Sequence, residues 1–162
     1  MGAIVAVRPA TSDDIAFIFS TWLHNFKSGS LFAKRIPYAV FFQNHHRVLE
    51  RILARPEVQS LVACPSDSPD TIVGYLIHEG NVVHYVYVKG AFRKLGVARA
   101  LAVAAKLDLE KVVCSHWTFA ADDLAMKGKL LYNPYLMFNQ RGENHERSES
   151  NESVSEDGGE AT

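Results

Sequence analysis

The sequence predicts a mixed α/β (α+β) domain in which a mostly antiparallel central sheet is flanked by helices. Three observations predict it. Two amphipathic helical patterns occupy the first third of the chain. Two alternating runs, Val58 to Ala63 and Thr71 to His78, then bracket a turn rich in proline and aspartate. Finally, Val82 to Ala105 passes from β-branched and aromatic residues through a basic, glycine-containing turn into an alanine- and leucine-rich helical pattern.

Taken in order, Ile4 to Arg8 reads as a first strand closed by Pro9. Thr11-Ser12-Asp13-Asp14 is a helix start, and Ile15, Ile18, Phe19, Trp22 and Leu23 recur on one face behind it. Residues 24 to 37 read as loop around Ser28-Gly29-Ser30, and a second helix is expected from Ala39 to Ala54. Pro65 to Asp70 turns the following strands into an antiparallel hairpin, and Gly80-Asn81 turns the chain again into Val82 to Val88. In that strand alternation puts His84, Val86 and Val88 on one face and Val83, Tyr85 and Tyr87 on the other. Lys111 to Phe119 reads as a fifth strand and Ala120 to Met126 as a short helix ended by Gly128. The aromatic run Leu130 to Phe138, broken by Asn133-Pro134, suggests a brief strand or docked segment.

The chemistry lies in Arg93-Lys94-Leu95-Gly96-Val97-Ala98, placed between a strand and a helix. Glycine there lets the backbone approach a bulky anion, and the first turn of a helix offers unpaired N–H groups carrying a partial positive charge. The alternative is a strand-to-helix turn in which Gly96 serves close packing.

The run Y-V-Y-V-K-x-x-F-R-x-x-G-V-A-x-A-L resembles the acyl-CoA-binding motif of the GNAT superfamily of N-acetyltransferases, and the opening V-R-P-A-T-x-x-D is similar to that of many of its members. The resemblance implies a GNAT-like fold in which two neighbouring strands splay at the cofactor site. It also implies acetyl-CoA as co-substrate and an amine as acceptor. Tyr87 and Val88 would lie at the thioester end. Arg93, Lys94, Leu95, Gly96, Val97, Ala98 and Arg99 would lie under the diphosphate. Phe26, Phe32, Tyr38 and Phe42 would be candidate acceptor contacts, with core packing as their other use. Many members carry a glutamate base on the cofactor strand, and this strand has none. His84, and after it Glu79, are the candidate bases, His116 borders the expected reaction centre, and Tyr132, with Tyr135 second, is the candidate proton donor to the thiolate. A narrower likeness, carried also by H-W-T and Y-N-P-Y-L, is to small GNAT-like proteins of tailed phages and prophages.

Composition bounds the remaining options. A chain of 162 residues fits one domain, expected over residues 1–138, and no apolar run is long enough to cross a bilayer. With no basic-then-apolar leader, a cytoplasmic location is expected. Cys64 and Cys114 form no CxxC pair and read as small buried hydrophobes. Adjacent His45 and His46 point apart on a helix and the other histidines are scattered, so no metal is expected. From Asn139 onward seven acidic and two basic residues leave net −5 in a nearly apolar-free tail, read as disordered and acidic. The body is then modestly basic, at +4, which suits an anionic cofactor and argues against nucleic acid. Two further readings stay open: a GNAT-fold binding or phage assembly protein with little catalysis, and a phage nucleobase-modifying enzyme. A homodimer is a further possibility.

Overall fold

The computed structural model describes residues 5–118 and 130–138. A six-stranded sheet runs in sequence order through β1 (Val5–Pro9), β2 (Gln59–Pro65), β3 (Gly74–Glu79), β4 (Val82–Val88), β5 (Val113–Cys114) and β6 (Leu131–Tyr132). The first four strands are antiparallel neighbours, whereas β5 is parallel to β4 and β6 parallel to β5. Helices α1 (Ile15–Gly29), α2 (Leu31–Lys34) and α3 (Tyr38–Leu53) precede the hairpin, and α4 (Val97–Ala104) follows the basic turn. This is the mixed, mostly antiparallel architecture that the sequence predicts.

The sheet separates two apolar layers. On one side Ile18, Trp22, Phe26, Phe41, Leu49 and Ile52 from α1 and α3 pack on Val62, Cys64, Tyr75, Ile77 and Tyr85. On the other, Val97 and Leu101 of α4 pack on Ala63, Val73, Leu76, Val83 and Val112. The start of α1 is fixed by Asp14. Its carboxylate accepts from the Thr11 N–H (2.7 Å) and from both terminal nitrogens of Arg8 (2.7 and 3.1 Å).

Three expectations are corrected. Residues 24 to 29 are helical and not loop, because the side chains of His24, Asn25 and Ser28 bond back to main-chain carbonyls one turn earlier and Phe26 is buried in the core. The strict alternation of β4 fails at a bulge: Ile77 faces Tyr85 but His78 faces Val83, so His84 is the extra residue. Val83 consequently joins Val88 on the α4 side, while Tyr85 and Tyr87 stay on the α1 and α3 side. The fifth strand pairs only over Val113–Cys114 and separates from β4 beyond Val83, where the last ladder bond runs from the Ser115 N–H to the Val83 carbonyl. The expected helix from Ala120 to Met126 and the acidic tail from Asn139 lie outside the described residues.

The aromatic run after residue 130 resolves into both alternatives that the sequence left open. Leu131–Tyr132 extends the sheet, Asn133 accepts from the Tyr135 N–H, and Pro134 opens a 3-10 turn that buries Met137. Arg55 holds this turn by donating to the Leu136 and Met137 carbonyls, each at 2.9 Å.

One contact sets the height of α4 above the sheet. A Cβ added at Gly74 would lie 2.8 Å from the Tyr87 carbonyl oxygen and 2.9 Å from Val97 Cγ1. Gly74→Ala should therefore destabilise the fold by about 1–3 kcal/mol, measured as a lower urea midpoint at unchanged slope; a wild-type midpoint would show that α4 is not pinned there.

Candidate active site

The separation of β4 from β5 opens a cleft of about 530 Å³. Its floor is the outer half of β4, Tyr85 to Val88, and its walls are Asn25, Ser28 and Gly29 of α1, Thr118, and the loop leading into α4. Of the nine residues that the sequence assigns to an acyl-CoA, Tyr87, Val88, Arg93, Lys94, Gly96, Val97, Ala98 and Arg99 line this cleft, whereas Leu95 does not.

The loop is shaped for an anion by its backbone. Gly96 is the N-cap of α4 at φ 83°, a left-handed conformation that glycine adopts without strain, and Lys94 also has positive φ at 62°. The Gly96 carbonyl accepts the first helical bond from Ala100, which leaves the N–H groups of Val97, Ala98 and Arg99 without intrahelical partners. Arg93 ties the loop to the strand end by donating from Nε to the Val88 carbonyl at 3.2 Å. Arg93, Lys94 and Arg99 supply three cations, and no acidic residue is among the described residues lining the cleft. Such a cradle suits a multiply charged phosphate group.

A second cleft of about 350 Å³ adjoins the first, with Gly29 and Thr118 common to both. It is lined by Gly29, Ser30, Leu31 and Phe32 at the α1–α2 junction, by Trp117 and Thr118 beyond β5, and by Tyr132 of β6. Of the four aromatic residues proposed as acceptor contacts, Phe32 is in this cleft. Phe26 is core, and Tyr38 stacks on Phe42 at 4.2 Å between centroids.

The four candidate catalytic residues divide. Tyr132 lines the second cleft, half-exposed, with its ring 5.2 Å from that of Trp117. Partial burial raises its hydroxyl above the ordinary tyrosine value, aided by Cys114, so the phenol stays protonated at neutral pH. Tyr135 is exposed and lines neither cleft. His84, Glu79 and His116 also line neither cleft. They meet each other instead, in a buried polar chain.

That chain is not legible in the spacing of the histidines. Arg55 lies 3.3 Å from Glu79 Oε1, and Glu79 Oε1 lies 3.4 Å from His84 Nε2, too poorly aligned for a full hydrogen bond. His84 Nδ1 is 2.7 Å from Ser115 Oγ, Ser115 Oγ is 2.9 Å from His116 Nδ1, and His116 Nε2 is 2.9 Å from His45 Nε2. Histidines that look scattered in the sequence are therefore consecutive links. The β4 bulge delivers His84 and the end of β5 delivers Ser115 and His116. Network logic sets the tautomers. With the proton of His84 on Nε2 facing the Glu79 carboxylate, Ser115 donates to His84, His116 donates to Ser115, and His45 donates to His116. Aromatic rings close around the far end, with Phe41 stacked on His45 and the edges of Phe26 and Trp22 against His116.

Burial keeps these imidazoles neutral. It holds His45 and His84 down at about 4, with Arg55 and His78 adding to the effect on His84, and it holds His116 well below its ordinary value. Burial likewise raises the thiols of Cys64 and Cys114, the latter to about 11, so neither is a thiolate at neutral pH. Among the described residues no group of three or more potential ligands could hold a metal ion, and no helix is long and apolar enough to cross a membrane.

No family model matches the chain, and no curated protein matches it. Solved structures do. A Pyrococcus furiosus protein assigned as an acetyl transferase superposes with TM-score 0.53 at 16% identity, over 96% of this chain and 99% of that one. A Clostridium difficile protein assigned as an acetyltransferase gives 0.46 at 15% identity, over 87% and 83%. An acetyltransferase of the GNAT family from Staphylococcus aureus gives 0.43 at 13% identity, over 63% of each chain. The overlap with the first of these, over nearly the full length of both chains, shows a shared fold of the GNAT type; the narrower likeness to phage proteins rests on sequence motifs alone.

The buried chain has a measurable consequence. Unfolded histidines take up protons near their ordinary value of 6.5, whereas folded His45 and His84 wait until about 4 and His116 is likewise held well below that ordinary value. Stability should be insensitive to these groups above about pH 6.5 and fall as pH drops toward about 4, by up to about 1.4 kcal/mol per pH unit for each histidine. Urea midpoints taken across that window test it; a flat profile would mean that the three imidazoles are solvated.

Proposed function

We propose that the protein is an acetyl-CoA-dependent N-acetyltransferase. The observation that carries the reading is the first cleft, where the end of a splayed strand leads into a left-handed Gly96 and a free helix N-terminus ringed by Arg93, Lys94 and Arg99. These groups would hold the diphosphate of the co-substrate. Tyr87 and Val88 would lie beside its thioester arm, and the acceptor amine would enter through the second cleft, meeting the thioester near Gly29 and Thr118.

The chemistry follows from that placement. The amine nitrogen, as the free base, attacks the thioester carbonyl carbon; the N–C bond forms, the C–S bond breaks, and the amine gives up a proton as the thiolate gains one. A backbone N–H at the outer end of β4 would stabilise the carbonyl oxygen as it becomes anionic. Tyr132 is the proton donor that this reading assigns to the thiolate. Water is the first acceptor of the amine proton, since no carboxylate or imidazole of the described residues lines either cleft. His84, Glu79 and His116, which line neither cleft, are assigned a supporting place behind the site.

That same lack of a lining base favours a second reading, a GNAT-fold binding or assembly protein that holds CoA without turnover. Calorimetric titration with acetyl-CoA, with desulfo-CoA and ATP as comparators, addresses both. Binding selective for the CoA nucleotides, followed by thiol release with an amine, is the expected result. Selective binding without turnover of any amine would favour the second reading, and no binding would remove both.

Two substitutions sharpen the assignment. Gly96→Glu puts a carboxylate into the cradle at a backbone conformation that resists any side chain, and should cost at least about tenfold in acetyl-CoA affinity while the protein stays folded; unchanged affinity would remove the diphosphate from this loop. Tyr132→Phe should lower kcat with little change in acetyl-CoA binding. Equal kcat would exclude Tyr132 as the acid.

A further inference from the structure

The geometry points to an acceptor that carries an aromatic or similarly flat apolar group next to its amine, and not to a polycation; this rests on the acetyl-transfer reading above. The second cleft is where that selection is made. Its walls are the side chains of Leu31, Phe32, Trp117 and Tyr132, and no charged side chain is among the described residues lining it. Leu31 and Phe32 are more than half exposed although they stand on the short helix α2, held in place by Ala33 buried beneath them. These two apolar side chains, presented to solvent across from the rings of Trp117 and Tyr132, form an aromatic slot.

Charge complementarity points the same way. A polyamine or an aminoglycoside binds through carboxylates placed to meet each ammonium, and the described lining offers none. An aromatic monoamine does not need them. Its ring buries against Phe32, Trp117 and Tyr132, and its single nitrogen reaches Gly29 and Thr118, where the two clefts meet. The volume of about 350 Å³ is that of a small-molecule site and is too narrow for a folded protein surface.

The transfer balances for such an acceptor. The neutral amine nitrogen forms the N–C bond, the C–S bond of acetyl-CoA breaks, and the products are an N-acetyl arylalkylamine and CoA thiol. One proton moves from the amine to the sulfur, and the proton that made the starting ammonium goes to solvent.

The test is binding to protein saturated with desulfo-CoA, which cannot react, followed by calorimetry and by the fluorescence of Trp117. 2-Phenylethylamine should bind about tenfold or more tightly than either butylamine or spermidine, with altered tryptophan emission. Phe32→Ser, an exposed position whose change leaves the core intact, should weaken 2-phenylethylamine about fivefold or more and leave acetyl-CoA affinity unchanged. Spermidine or butylamine binding as tightly as 2-phenylethylamine, or an indifferent Phe32→Ser, would overturn the acceptor class while leaving acetyl transfer standing. If desulfo-CoA itself fails to bind, the acetyl-transfer reading falls, and the same amine series on the protein alone then decides whether the aromatic slot exists.

Discussion

The seating of α4 on the sheet is the constraint from which the first cleft follows. Gly74 has no side chain, so Val97 can sit directly over β3 and beside the Tyr87 carbonyl. That contact anchors the first residue of the helix, and with it the orientation of every unpaired N–H in the first turn. Gly96 then completes the loop from the other side, as its left-handed conformation turns the chain from the strand end into the helix axis within a few residues. The two glycines do different work, one yielding space and the other yielding conformation. Only the second is recognisable from the motif, because the first acts through a neighbour that is distant in sequence.

A bulge plays the corresponding part on the opposite side of the sheet. By inserting His84 between Val83 and Tyr85, it sends Val83 toward α4 and keeps Tyr85 and Tyr87 against α1. It also ends the tight pairing of β4 with β5, so that the strands can part and the cleft can form. Ser115 gives the extra residue one hydrogen bond away from water, and the Glu79 carboxylate faces its other ring nitrogen at 3.4 Å. The polar chain from Glu79 to His45 accommodates that local irregularity, and aromatic rings pack around its far end. His116 immediately precedes Trp117 and Thr118, which line the clefts, so the chain's rigidity reaches the site through the backbone.

What was legible in the sequence follows the range of the interactions involved. Elements governed by local pattern came through closely: Val82–Val88, the hairpin, α3 and the strand-turn-helix unit are where periodicity and turn chemistry put them. Residues 24 to 29 were misread because serine, asparagine and glycine signal loop, while here the side chains of Asn25 and Ser28 bond back along the helix and Phe26 is gripped by the core. The eight loop and strand residues lining the first cleft were legible because one motif contains them all. The polar chain was not, since His45, Glu79, His84 and His116 come from four separate elements and only the folded topology makes them neighbours. Tyr132 was found through resemblance, whereas Leu31 and Trp117 became visible as cleft walls only when α2 and the end of β5 were brought face to face.

On the acetyl-transfer reading, the absence of a lining base among the described residues and the apolar character of the second cleft are connected. An ammonium entering a slot of leucine and aromatic rings loses solvation that its neutral form does not need, so burial alone lowers its pKa. A polar cleft that held the ammonium with carboxylates would need a strong base to undo its own binding. A cleft that binds the ring and leaves the nitrogen unsupported selects the neutral amine from the outset, and water at the junction is then a sufficient proton acceptor. The aromatic walls therefore do two things at once: they choose the acceptor, and they deliver it in the protonation state that can attack.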